Sequence, residues 1–144
     1  MKPYIYFDTS VWLKLYIVEA GSVHVAELAS TYQIVSSSII LTESLSALKR
    51  RHANRELSKA LFNRIVKQMT ADITGINTMP LDGCNLARAE KIVIETPAGA
   101  LDALHIAAAL LFQEMTMLRL PFVTADNRQA QSAEQVGLNV IRAE

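Results

Sequence analysis

The chain predicts an α/β fold: a mostly parallel central sheet flanked by helices on both faces. Three observations carry this. Short apolar runs rich in β-branched and aromatic residues alternate with longer segments of helical periodicity along the whole sequence. Such alternation favours parallel strands joined by crossover helices. The segment from Leu101 to Phe112 is apolar on nearly every helical face, as expected of a helix buried on more than one side. No repeat, linker or low-complexity stretch divides the sequence, so residues 1–144 read as a single domain.

Residues 3–7 read as a buried strand. Residues 10–17 read as a short helix, with Thr9 or Ser10 as its N-cap. Gly21 breaks that helix, and Ser22 opens a second one reaching about residue 30. A strand over 32–36 follows, then a helix pair over 39–53 and 56–71. In the second of the pair Leu57, Leu61, Ile65 and Met69 recur at helical spacing. A strand over 73–79 ends at Pro80, and a helix covers 82–94. The loop Thr96-Pro97-Ala98-Gly99 leads into the apolar helix over 101–114. A strand over 117–124 is followed by a helix over 126–136, with Gly137 in the C′ position, and a last strand over 138–141.

Composition narrows the class. Apolar residues make up 51% of the chain, enough for one packed core. Fourteen Lys and Arg balance fourteen Asp and Glu, so net charge points to no polyanionic partner. It excludes none either, because a local patch can supply the field. The single cysteine, Cys84, excludes a disulfide framework or a cysteine zinc site within the chain. It reads as a small, partly buried residue in a reducing compartment. No apolar run reaches the roughly 20 residues needed to span a bilayer. No secretory signal is visible before the first strand, and the chain reads as soluble and cytoplasmic.

Four carboxylates stand beside apolar segments: Asp8, Glu43, Asp102 and Asp126. Asp8 and Asp126 each follow a predicted strand. Asp102 and Glu43 sit in the first turns of predicted helices. In open α/β sheets ligands bind outside the carboxyl ends of the strands, and all four residues can meet there. Carboxylates brought together resist ionisation unless a cation joins them. Hard oxygen donors, without cysteine or a spaced histidine pair, suit Mg²⁺ or Mn²⁺ better than Zn²⁺. Such a site activates water for phosphoryl chemistry without a side-chain nucleophile. The chain has no G-x-S-x-G, P-loop or dinucleotide fingerprint.

Each residue has a structural reading as well. Asp8 can cap the first helix. Asp126 with Gln129 has the form of a capping box. Asp102 can complement a helix dipole. The joint placement of the four favours a site.

Tyr6-Phe7-Asp8-Thr9-Ser10-Val11, Ile40-Leu41-Thr42-Glu43-Ser44-Leu45, Leu101-Asp102-Ala103-Leu104-His105-Ile106-Ala107-Ala108-Ala109 and Val123-Thr124-Ala125-Asp126 together resemble a PIN-domain nuclease. More narrowly they resemble a VapC-type toxin of a bacterial type II toxin–antitoxin pair. The resemblance spans the chain, and its D-A-L-H-x-A-A-A segment is the most specific part. It implies that Asp8, Glu43, Asp102 and Asp126 are the catalytic residues and hold Mg²⁺ or Mn²⁺. It implies that the hydroxyls of Thr9, Ser10 and Thr124 support them. It further implies metal-dependent hydrolysis of RNA phosphodiester bonds, a homodimer, and silencing by a cognate antitoxin protein.

His105, three residues after Asp102, reads as a packing or hydrogen-bonding residue, since metal and carboxylate can activate the water. RNA needs cations, and the candidates are Lys14, Arg50, Arg51 and Arg128. Lys49-Arg50-Arg51-His52, continuing to Arg55, Lys59, Arg64 and Lys67, reads equally as a solvated helix face. Two other functions compete with the ribonuclease. One is a PIN-like module that binds RNA or protein without cutting. The other is a Mg²⁺ phosphatase with Asp8 as nucleophile, disfavoured because its usual second Asp is Ser10 here.

Overall fold

The central strand, β1 (Tyr4–Phe7), is a run of four large side chains that serves two cores at once. Tyr6 points into one buried cluster, while Ile5 and Phe7 point into another on the opposite face. This is the two-residue periodicity of a strand covered on both sides. The computed structural model describes residues 1–144.

Four more strands join β1: β2 (Gln33–Ser37), β3 (Asn77–Met79), β4 (Phe122–Thr124) and β5 (Val140–Arg142). The order across the sheet is β3-β2-β1-β4-β5, and every pairing is parallel. The helices are α1 (Thr9–Leu13), α2 (Ser22–Thr31), α3 (Ile40–Ala53), α4 (Lys59–Asp72), α5 (Gly83–Glu95), α6 (Ala100–Thr116) and α7 (Asn127–Gln135). One face of the sheet packs on α5, α6 and α7 through Ile92, Ile106, Phe112 and Ala133, with Tyr6 and Phe122 stacked beneath. The other face packs on α1 to α4 through Trp12, Val25, Leu48, Ile65 and Met69. Helix α6 is the apolar helix of the sequence, and Ala103 and Ile106 to Ala109 are fully buried.

The chain leaves β1 toward one edge of the sheet for β2 and β3, and returns to the other side of β1 for β4 and β5. The direction of winding reverses between β1 and β4. In such a fold the carboxyl ends of the two strands flanking the reversal open a crevice. Asp8 directly follows β1, and Asp126 lies two residues beyond β4.

Several boundaries differ from those the sequence suggests. Asp8, rather than Thr9 or Ser10, caps α1, accepting the Val11 amide on Oδ1 at 3.0 Å. Helix α1 stops at Leu13, whose carbonyl takes the amides of both Tyr16 and Ile17. Helix α4 begins only at Lys59, because Arg55 turns the chain at φ 61° and Ser58 provides the cap. Residues Ile73–Gly75 form a 3-10 turn that finishes α4, so β3 is only three residues long. Helix α6 runs on to Thr116, where Met117 ends it in the left-handed region at φ 59°. Pro121 has no amide hydrogen for a strand ladder, and β4 starts after it. Cys84 is exposed rather than partly buried, because it sits in the first turn of α5 on the solvent side. No helix is long and apolar enough to cross a membrane.

Candidate active site

Asp8 is the best-held carboxylate of the four. It is 4% exposed and accepts from the Val11 amide, the Ser10 hydroxyl and the Thr124 hydroxyl. Burial pushes its carboxyl up from the ordinary aspartate range, opposed by His105 and by these three donors. Ser10 in turn accepts the Ala125 amide at 3.3 Å, so the end of β4 is tied to the start of α1.

Thr124, the last residue of β4, has the most demanding proton arrangement. Its Oγ1 lies 2.8 Å from Asp8 Oδ2, 2.7 Å from the Gln129 amide oxygen and 3.1 Å from the Asp126 amide nitrogen. A hydroxyl has one proton. With Asp8 ionised, that proton goes to the carboxylate. Gln129 is 1% exposed, and its side-chain NH₂ is buried without a partner. Turning the amide over resolves both conflicts, since Nε2 then donates to Thr124 Oγ1. Thr124 thus receives two N–H donors and gives its own proton to Asp8.

The capping box expected at Asp126 is half formed. Asp126 Oδ1 accepts the Gln129 amide at 3.0 Å and caps α7. The reciprocal bond from the glutamine side chain is absent, because Gln129 reaches inward to Thr124 instead.

Glu43 occupies the first turn of α3 and is steered from two directions. The Thr9 hydroxyl donates to its Oε1 at 2.7 Å, and His105 Nε2 lies 2.6 Å from the same oxygen. Tyr6 lies behind, with its hydroxyl 2.8 Å from His105 Nδ1. Burial holds the Tyr6 phenol well above its ordinary value, so it stays protonated and can donate. That fixes the imidazole proton on Nε2, facing Glu43. Burial raises the Glu43 carboxyl, but the His105 and Thr9 bonds outweigh it and leave it below the ordinary range. The second oxygen, Oε2, remains free.

Asp102 lies in the first turn of α6, where the helix dipole favours an anion. Its carboxyl is nevertheless raised, first by burial and then by the negative charges of Asp126 and Asp8, with a smaller push from Glu43 and relief from His105. Asp102 therefore lies within electrostatic reach of the three other carboxylates, each carried by a different element. They are not closed into a finished cage: no group of three His, Cys, Asp or Glu is arranged to hold an ion. Asp102 makes no hydrogen bond that fixes its rotamer, whereas Asp8 and Glu43 are pinned. The donor set is all oxygen, and its charge surplus fits a hard divalent cation.

The cations fall into two groups. Lys14 is 9% exposed and gives its ammonium to Glu19 and the Ala20 carbonyl, while Arg51 pairs with the same Glu19. Arg50 bonds only the Ser46 hydroxyl, and Arg128 is exposed with no ion pair. Asn54 ends α3, so the basic run does not form one continuous helix face.

Sequence reasoning passed over Tyr6 and Gln129. Tyr6 looked like any strand aromatic. The signal for Gln129 was its spacing from Asp126, which read as a cap.

The architecture is thus a five-stranded, all-parallel α/β domain with carboxylates gathered at its strand reversal. Residues 5–135 match the PIN domain family, and the chain belongs to that family. Solved structures share its fold, among them the following three. FitAcB from Neisseria gonorrhoeae superposes with a TM-score of 0.71 at 18% identity, covering 96% of this chain and 97% of that one. DNA-bound VapBC from Salmonella typhimurium gives 0.67 at 18% identity over 100% of both chains. VapBC-5 from Mycobacterium tuberculosis, a member of the VapBC family of toxin–antitoxin systems, gives 0.60 at 16% identity over 96% and 98%. No curated protein matches the chain in sequence.

Proposed function

We propose that this chain is a Mg²⁺- or Mn²⁺-dependent endoribonuclease, the cytoplasmic toxin of a toxin–antitoxin pair. The observation that carries the reading is the buried Asp8 at the strand reversal, with Asp102 beside it feeling the negative charges of Asp126, Asp8 and Glu43. Asp8, Asp102, Asp126 and Glu43 would hold the metal, with Ser10, Thr124 and Thr9 orienting the carboxylates. A bound divalent ion there supplies charge neutralisation and an activated water for phosphodiester hydrolysis. The chain's own part is to preorganise acceptors on rigid strand and helix ends and to keep Glu43 ionised through His105. Solved structures of the same fold are toxin–antitoxin assemblies, which supports an antitoxin partner here; a homodimer is part of the same proposal.

The test is cleavage of a mixed RNA pool by the purified chain. Cleavage should need Mg²⁺ or Mn²⁺, stop with EDTA, and fall by orders of magnitude in Asp8→Asn and Asp102→Asn. Undiminished cleavage in both variants would overturn the site. Metal-independent RNA binding without any cleavage would instead favour a binding module.

A further inference from the structure

We infer that a cavity of about 430 Å³ beside the carboxylate edge is a subsite for a backbone phosphate of RNA, with Arg50 as the cation that reads it. The inference rests on the nuclease reading and adds to it the path of the substrate strand.

The cavity shares two of its lining residues, Ser10 and Ala125, with the acidic site. Ser10 holds both oxygens of Asp8, and Ala125 directly precedes Asp126. The remaining wall comes from the end of α1 and the turn after it, the C-terminal half of α3, and Asn54 and Glu56 just beyond α3. Any ligand here therefore lies immediately beside the carboxylates.

The wall is built rather than incidental. Glu19 accepts Lys14 on Oε1 and Arg51 on Oε2, each at 3.2 Å, bridging the turn to α3. The Lys14 ammonium also bonds the Ala20 carbonyl at 2.6 Å. The Ser22 hydroxyl accepts the Glu19 amide and donates to the Ile17 carbonyl. Gly21 closes the turn at φ +88°, and a Cβ there would stand 2.9 Å from the Ala143 carbonyl oxygen. The turn thus rests directly on the C-terminal segment.

Charge then selects the ligand. Three cations line the cavity, Lys14, Arg50 and Arg51, against two carboxylates, Glu19 and Glu56. Two of the cations share Glu19. Arg50 has only the neutral Ser46 hydroxyl, so its guanidinium keeps N–H donors for a ligand. The acidic crevice repels a polyanion, and phosphates flanking the cleaved bond need cations outside the carboxylate set. A planar guanidinium at the rim of a prebuilt pocket suits a phosphodiester. Arg88 and Arg142 are spent on ion pairs with Glu114 and Glu134.

The experiment measures binding of a single-stranded RNA oligonucleotide by fluorescence anisotropy across a salt series, in an Asp102→Asn background. Arg50→Ala should weaken binding about fivefold at low salt and reduce the log–log salt slope by about 0.7, as expected for one lost phosphate contact on a single strand. In the cleaving parent it should raise KM with kcat retained. Arg88→Ala should change neither. RNA binding by the parent with affinity and slope unchanged in Arg50→Ala would overturn the subsite and leave the nuclease reading standing. No RNA binding or cleavage by the parent would sink both. Weaker binding of a polyglutamate peptide with RNA affinity unchanged would assign the cavity to a protein partner instead.

Discussion

The Thr124 hydroxyl donates to Asp8 at 2.8 Å, joining residues 116 positions apart at the ends of adjacent parallel strands. With Gln129 and the Asp126 amide as its donors, Thr124 has one outlet for its proton, and that outlet is Asp8. Thr124→Val keeps the shape and removes the bond. It should weaken Mn²⁺ binding and RNA cleavage by about 10–100-fold, the usual effect of losing a group that orients a metal ligand. Thr124→Ser should restore most of both. Calorimetric titration with Mn²⁺ checks this independently of turnover, and equal affinity in Thr124→Val would refute the role.

Asp102 is placed where its charge is disfavoured first by burial and then by Asp126, Asp8 and Glu43. Neutralising it should therefore help the fold while harming the site. Asp102→Asn should raise the Tm in EDTA by a few degrees and abolish cleavage. Adding Mn²⁺ should raise the Tm of the parent more than that of the variant, because ligand binding to the folded state stabilises it by mass action. A variant less stable than the parent in EDTA would argue that the carboxylates do not repel.

The Tyr6 phenol anchors His105 from the side away from Glu43. Tyr6→Phe leaves a buried ring nitrogen without its partner, at a cost of about 1–3 kcal/mol. Urea denaturation should show the lower midpoint. An unchanged midpoint would mean that the phenol–imidazole contact contributes nothing.

Much of this architecture was legible in the sequence because its signals are local. Alternating apolar runs and helical periodicity located all five strands and the apolar helix carrying Asp102 and His105. The edges that failed were decided by backbone geometry that composition does not encode. Met117 and Arg55 adopt positive φ without being glycine. The four acidic positions stood out because a carboxylate beside an apolar run needs an explanation. Their wiring did not, because Tyr6 and Gln129 acquire their roles only when strands far apart in sequence become neighbours. Lys14 illustrates the same limit: near Asp8 in the chain it looks free, yet in space Glu19 has already claimed it.

The pairing of β1 with β4 also has a consequence in time. Asp8 is made 116 residues before the hydroxyl that orients it. Parallel pairing across such a separation forms late, after the intervening chain has been ordered. A growing chain has its first aspartate, but neither the strand that supports it nor the aspartate that follows that strand. The acidic crevice is thus a property of the closed sheet, and no chain that stops short of Thr124 carries it.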